Sequence, residues 1–167
     1  MDPSTKIVSL PALVAILDQR REEGRRIVLT NGCFDLLHVG HVRYLARARA
    51  LGDLLVVGLN SDASTRAIKG PKRPILPEHE RAEVLAALAA VDYVTIFDEP
   101  TAEELVRQTR PDVYVKGAGY REEDLPEARV ARSYGGEVVL VPDVAGRSTS
   151  SLIATVLERY GRPSPSP

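Results

Sequence analysis

Cysteine is nearly absent: Cys33 stands alone among 167 residues. That excludes an intrachain disulfide and a cysteine-based zinc cluster, and it fits a reducing compartment. Long apolar runs are missing too. Stretches such as "LLVVGL" and "VLAALAAV" fall far short of the roughly 20 residues a spanning helix needs. No basic start, apolar run and small-residue cleavage site occur together at the N-terminus, so the chain reads as cytoplasmic. Charge of one sign is also lacking. Lys and Arg number 22 against 23 Asp and Glu, a formal net charge of −1. With no basic-aromatic stripe either, nothing draws the chain towards nucleic acid or an anionic membrane. Any anion must be held locally, by a few placed residues.

What is present is the composition of a soluble globular protein, 44% hydrophobic and 27% charged. The length suits one domain, read here as residues 1–160 with an N-terminal helix over about 9–24. The tail "RPSPSP" within 161–167 reads as disordered. Five short apolar segments predict strands: 26–30, 54–60, 93–97, 112–117 and 137–142. Helical patterns separate them. "PEHERAEVLAALAAV" is the strongest, with a proline at its start and acids in its first turn. Thr101 and Glu104 have the spacing of a capping box. Strands without clean alternation, separated by helices, predict an α/β fold: a Rossmann-like, doubly wound, mostly five-stranded parallel sheet with helices on both faces.

Ligands in such folds sit beyond the carboxyl ends of the strands, where strand order reverses. The segments there are rich in polar and small residues: Asn31 to His41, Asn60 and Asp62, Lys116 to Tyr120, and Ser148 to Ser150. The opposite edge has ordinary turns such as "REEGRR" and "RQTRPD".

Histidine is scarce, yet two of the three stand three residues apart in "TNGCFDLLHVGH" (30–41). A helix is expected over about 41–51; if it begins near residue 39, His38 and His41 share one face of its first turn. A helix N-terminus suits phosphate, and Gly40 and Gly32 allow close approach to the backbone. A metal reading lacks ligands: the pair supplies two where catalytic zinc takes three, and only Asp35 is near. A structural pair, one capping and one buried, is the remaining alternative. Lys116, ending a strand at the ligand edge, is hard to justify as core. Lys69, Lys72 and Arg73 form a basic loop around Gly70 and Pro71; such a loop is usually just solvated, with phosphate contact as the functional alternative. Arg81 could clamp phosphate or sit exposed, and His79 reads as surface. Cys33 reads as a small packed residue rather than a reactive thiol.

"TNGCFDLLHVGH" resembles the first signature of the HxGH nucleotidyltransferase superfamily. "GLNSDASTRAIKGPKRPI", "ERAEVLAALAAVDYV", "PDVYVKG" and "GRSTSSLI" follow in the order found in the ADP-heptose synthase family, over roughly residues 6–160. The resemblance implies transfer of AMP from ATP to D-glycero-β-D-manno-heptose 1-phosphate, releasing pyrophosphate, for lipopolysaccharide core precursor synthesis. It implies His38, His41, Lys69 and Lys116 as the catalytic set. It places Asn31, Gly32, Cys33, Phe34, Gly40, Asn60, Asp62, Arg73, Arg81, Gly117, Ser148, Thr149 and Ser150 around the nucleotide and phosphates. Asp35 is the candidate for Mg²⁺, with helix capping as its alternative. ATP and a sugar phosphate would be the substrates, a homo-oligomer (a dimer) the assembly, and a separate heptose kinase a possible co-worker. In one place the chain departs from the family. Gly119 stands where an acid is expected after Lys116-Gly117, with Glu122, Glu123 or Asp124 as possible substitutes. That opens alternatives: CTP with glycerol 3-phosphate, ATP with flavin or pantetheine phosphates, or a non-catalytic nucleotide-binding module.

Overall fold

A computed structural model describes residues 2–142 and 148–161. The tail expected to be disordered lies outside the described residues from 162 onward, as do Gly146 and Arg147. The five apolar segments form strands β1 (Ile27–Gly32), β2 (Leu54–Asn60), β3 (Tyr93–Phe97), β4 (Val113–Gly117) and β5 (Glu137–Val141). All neighbours pair in parallel, in the order β3-β2-β1-β4-β5. The order runs outward from β1 in both directions, so it reverses between β1 and β4.

The helices are α1 (Leu10–Glu22), α2 (Val39–Arg49), α3 (Asp62–Lys69), α4 (Glu78–Ala86), α5 (Glu103–Thr109), α6 (Pro126–Ser133) and α7 (Thr149–Tyr160). Alternate strand residues point to opposite faces. Ile27, Leu29 and Val56 therefore pack with Leu13 and Leu17 of α1, Leu105 of α5 and Ala128 of α6. Val28, Val57 and Val115 pack on the other face, with Leu45 of α2 and Leu85 of α4. Each fully buried aliphatic side chain contributes about 1.5–3 kcal/mol. Gly58 interrupts β2 for a packing reason: a Cβ there would come within 2.3 Å of Leu105 Cδ2. The doubly wound α/β expectation is met. α7 differs from the other helices. It buries none of its residues, and Val156, Leu157 and Tyr160 are exposed.

Two local expectations are corrected. The expected long helix from Pro77 stops at Ala86. Shorter bonds follow, from Leu88 N to Leu85 O and from Val91 N to Leu88 O, and turn the chain into β3. The Thr101/Glu104 capping box does not form. Thr101 donates to Glu103 and Glu104 pairs with Arg107, while Glu127 of α6 accepts from the Ala102 N–H at 2.8 Å. A partner 25 residues away has replaced the local cap.

Candidate functional site

A cavity of about 910 Å³ opens at the carboxyl ends of the strands. Every residue expected at the site lines it except Asp62 and Arg81. The cavity spans both faces of the sheet. His38, Gly40 and His41 come from α2 on one face, Glu127 from α6 on the other, and Lys116 from β4 between them.

The helix at "HVGH" begins at Val39, two residues before the expected start near 41. His38 is the N-cap of α2, and its Nδ1 accepts from the Gly40 N–H at 3.1 Å. An accepting Nδ1 carries no proton, so the neutral ring holds its proton on Nε2. His38 and His41 stack with ring centroids 3.9 Å apart. Burial, and then the His38 ring, push His41 down to about 4, so it is neutral near pH 7. Its Nδ1 is buried without a hydrogen-bond partner among the described residues. Phe34 braces His41 edge-on at 5.3 Å. It does so from a left-handed backbone, φ 43°, which a bulky residue rarely adopts outside a constrained site.

The reversal of strand order sets the other half of the site. Asn31 leaves β1 beside Lys116 at the end of β4. Its Oδ1 accepts from Lys116 Nζ at 2.9 Å and from Tyr114 Oη at 2.7 Å, and its backbone oxygen lies 3.3 Å from Nζ. With Oδ1 spent, the amide orientation is fixed. Burial pushes the Lys116 ammonium below its ordinary value, and Glu127 opposes that shift. The Tyr120 ring lies 5.3 Å from Nζ. Tyr44, which the sequence reading passed over, forms part of the lining and donates to Val115 O at 3.2 Å.

Three expected roles change. Asp35 is not placed as a metal ligand, nor does it cap α2. Its buried carboxylate pairs with Arg73 and accepts from the Ile75 and Leu76 N–H groups at 2.9 and 3.0 Å. Burial pushes its pKa up, but the Leu76, Ile75 and Arg73 donors together hold it below the ordinary value. Asp35 thus anchors the basic loop to the end of β1 through the Arg73 Nε, and Arg73 itself lines the cavity. Arg81 is neither clamp nor surface residue. It is 1% exposed and donates to Leu76 O, Cys33 O, Asn60 O and Asp62 Oδ1, at 2.6 to 2.9 Å. Asp62 is correspondingly turned to Arg81, outside the cavity.

Comparison with known proteins identifies the frame. A family model for cytidylyltransferase-like proteins matches residues 29–153. The chain belongs to this cytidylyltransferase-like family. It is 52% identical over 160 residues to the bifunctional protein HldE of Syntrophotalea carbinolica, covering 96% of this chain and 33% of that protein. The HldE of Geobacter sulfurreducens is 52% identical over 156 residues, 93% of this chain and 32% of that protein. The chain thus spans about a third of the length of the curated relatives it matches. A lipopolysaccharide core biosynthesis protein from Thermoplasma volcanium superposes with a TM-score of 0.59 at 29% identity, over 72% of this chain and 97% of that one. A pantoate-β-alanine ligase from Francisella tularensis shares the fold, with a TM-score of 0.58 at 12% identity, over 86% of this chain and 68% of that one. The nucleotidyltransferase expectation is met at the level of the family.

The remaining family positions fall around the same cavity. Lys69 ends α3, exposed at the rim, and Asn60 is buried with its amide donating to Ser64 Oγ at 2.9 Å. Ser148 caps α7 in a reciprocal box with Ser151, and Thr149 and Ser150 follow on the cavity wall. Of the acids after Gly119, Glu122 pairs with Arg132 and Glu123 with Arg121, while Asp124 reaches the cavity. Mg²⁺ does not fit a protein-built site here. Among the described residues no three His, Cys, Asp or Glu side chains are grouped to hold a metal, and Asp35 is committed elsewhere. Any Mg²⁺ would come with substrate phosphates. The sequence reading missed Glu127, a buried acid in the first turn of α6 that lines the cavity. Its one signal is position: it falls on the α6 face that buries Ala128 and Ala131.

Proposed function

We propose that this chain is a cytoplasmic adenylyltransferase that transfers AMP from ATP to D-glycero-β-D-manno-heptose 1-phosphate, for lipopolysaccharide core precursor synthesis. The observation that carries the reading is Lys116, anchored by Asn31 at the reversal of strand order, sharing a cavity with the stacked histidines at the start of α2. The motif order and the 52% identity to bifunctional HldE proteins support the choice of substrates.

The chemistry needs little from the protein beyond alignment and charge. An oxygen of the sugar phosphate, already ionised near pH 7, attacks the α-phosphorus of ATP. A P–O bond forms there as the bond to the bridging oxygen breaks, and pyrophosphate leaves with that electron pair. No general base or covalent nucleophile is required. The α2 N-terminus and the His38 Nε2–H give donors on one side, the Lys116 ammonium enters from β4, and the Lys69 ammonium stands at the rim. His41, held neutral, places no positive charge against the His38 ring it stacks on. Asn31, Gly32, Cys33, Phe34, Gly40, Asn60, Gly117 and the Ser148–Ser150 turn form the walls around the nucleotide. Any Mg²⁺ would accompany the triphosphate. A homodimer, acting alongside a separate heptose kinase, completes the proposal.

The test is an acceptor panel with ATP and CTP, read by pyrophosphate release. Turnover with ATP and the heptose 1-phosphate, and little with glycerol 3-phosphate, flavin or pantetheine phosphates, is expected. Preference for any other acceptor overturns the heptose assignment. Nucleotide binding without release to any acceptor points instead to a non-catalytic module.

A further inference from the structure

Glu127 is buried, 5% exposed, and lines the cavity. One carboxylate oxygen accepts from the Ala102 N–H at 2.8 Å. The other accepts no protein hydrogen bond among the described residues, and no basic side chain there pairs with Glu127. Yet it is not a sealed orphan: the only buried, unpartnered side-chain atoms among the described residues are on His41 and Thr95. The second oxygen therefore opens to the cavity. The other buried acid, Asp35, is saturated by Arg73, Ile75 and Leu76. Glu127 differs from it in having acceptor capacity left over, and buried acceptors are kept where something donates to them.

The donor is not a phosphate, which a carboxylate repels. The α2 N-terminus, which suits phosphate, comes from the other face of the sheet, and Lys116 lies between the faces. Glu127 enters at the start of α6, with Leu125 and Pro126 as apolar neighbours on the cavity wall. An acceptor oxygen beside apolar surface suits the hydroxyls and C–H face of a sugar ring.

We propose that Glu127 is a specificity-determining residue that accepts a hydrogen bond from a ring hydroxyl of a bound sugar. This rests on the nucleotidyltransferase reading. The ring belongs either to the ribose of the nucleotide or to the sugar of the acceptor, and the test separates the two.

Wild-type protein is compared with Glu127→Gln, which keeps the oxygen facing Ala102 and removes the charge. Binding of ATP, 2′-deoxy-ATP and 3′-deoxy-ATP is measured by calorimetry, and KM for the heptose 1-phosphate by pyrophosphate release. If the ribose is read, wild type loses at least about tenfold in affinity for one deoxynucleotide, and E127Q no longer discriminates. If the acceptor is read, nucleotide binding is unchanged and E127Q raises the acceptor KM by at least about tenfold. A lowered melting temperature with both sets of constants unchanged means Glu127 only caps α5, and overturns the proposal. The nucleotide arm on wild type needs no folded variant. Lack of turnover by wild type counts against the heptose reading, whereas a wild type active and indifferent to E127Q counts against this one.

Discussion

The two sides of the sheet's carboxyl edge treat charge in opposite ways. On the β1–β2 side, Asp35 meets Arg73 and Asp62 meets Arg81, with backbone groups filling much of their remaining capacity. On the β4 side, Lys116 and Glu127 enter the same cavity without an ion pair to each other or to any other described residue. Buried charges are costly to desolvate, and pairing with further hydrogen bonds offsets that cost and fixes the segments they join. Unpaired ones keep their bonding capacity for a ligand. Residues of one chemical type thus divide into frame and reader according to what faces them.

Breaking the frame has the largest expected effect. Arg81→Ala strands Asp62 and removes a donor from the Leu76, Cys33 and Asn60 carbonyl oxygens. A loss of roughly 3–5 kcal/mol in urea unfolding is expected. Retained stability would show that the arginine is dispensable to the frame. Lys116→Met sharpens the contrast from the other side. Turnover should fall by about 10²–10³, the effect of removing one preorganised donor, while the melting temperature holds or rises because a buried ammonium is gone. A Lys116→Met protein that unfolds but keeps its specific activity would reverse the assignment.

Asp35→Asn should cost about 1.5–3 kcal/mol, since its bonds are charge-assisted. The pH dependence follows from its depressed pKa. The stability it contributes is complete above the ordinary value of 3.8 and is lost as pH falls through the lower folded value. Acid unfolding of Asp35→Asn should accordingly be less steep in that window. His41 acts through the opposite cause, and only below neutral pH. Its folded value near 4 lies below the ordinary 6.5, so the unfolded chain takes up a proton first as pH falls. Stability should decline from pH 6.5 towards 4, and His41→Gln should remove that slope. A slope unchanged in the variant would mean His41 is not held neutral.

Much of this was legible beforehand. Apolar segments and the turns between them are local properties, and the strands fall within two residues of expectation at either end. α2 starts at Val39, two residues before its expected range, and that earlier start is what brings His38 and His41 onto one face of its first turn. The misassigned residues share a different feature. Asp35 finds Arg73 38 residues away, and Arg81 finds Cys33 48 residues away. Nothing in a basic loop or on a polar helix face announces such a partner. Glu127 was passed over for the same reason: its surroundings come from α5 and β4, not from "LPEARV". Conversely, the Thr101 box looked right locally and lost to a buried carboxylate from another helix.

Arg81 carries a further consequence. One planar group gathers the loop after β1, the end of β2, the start of α3 and the turn before α4. Those four segments then share one opening event instead of fraying separately. In amide hydrogen exchange they should lose protection together, as a single cooperative block, ahead of the strands beneath them.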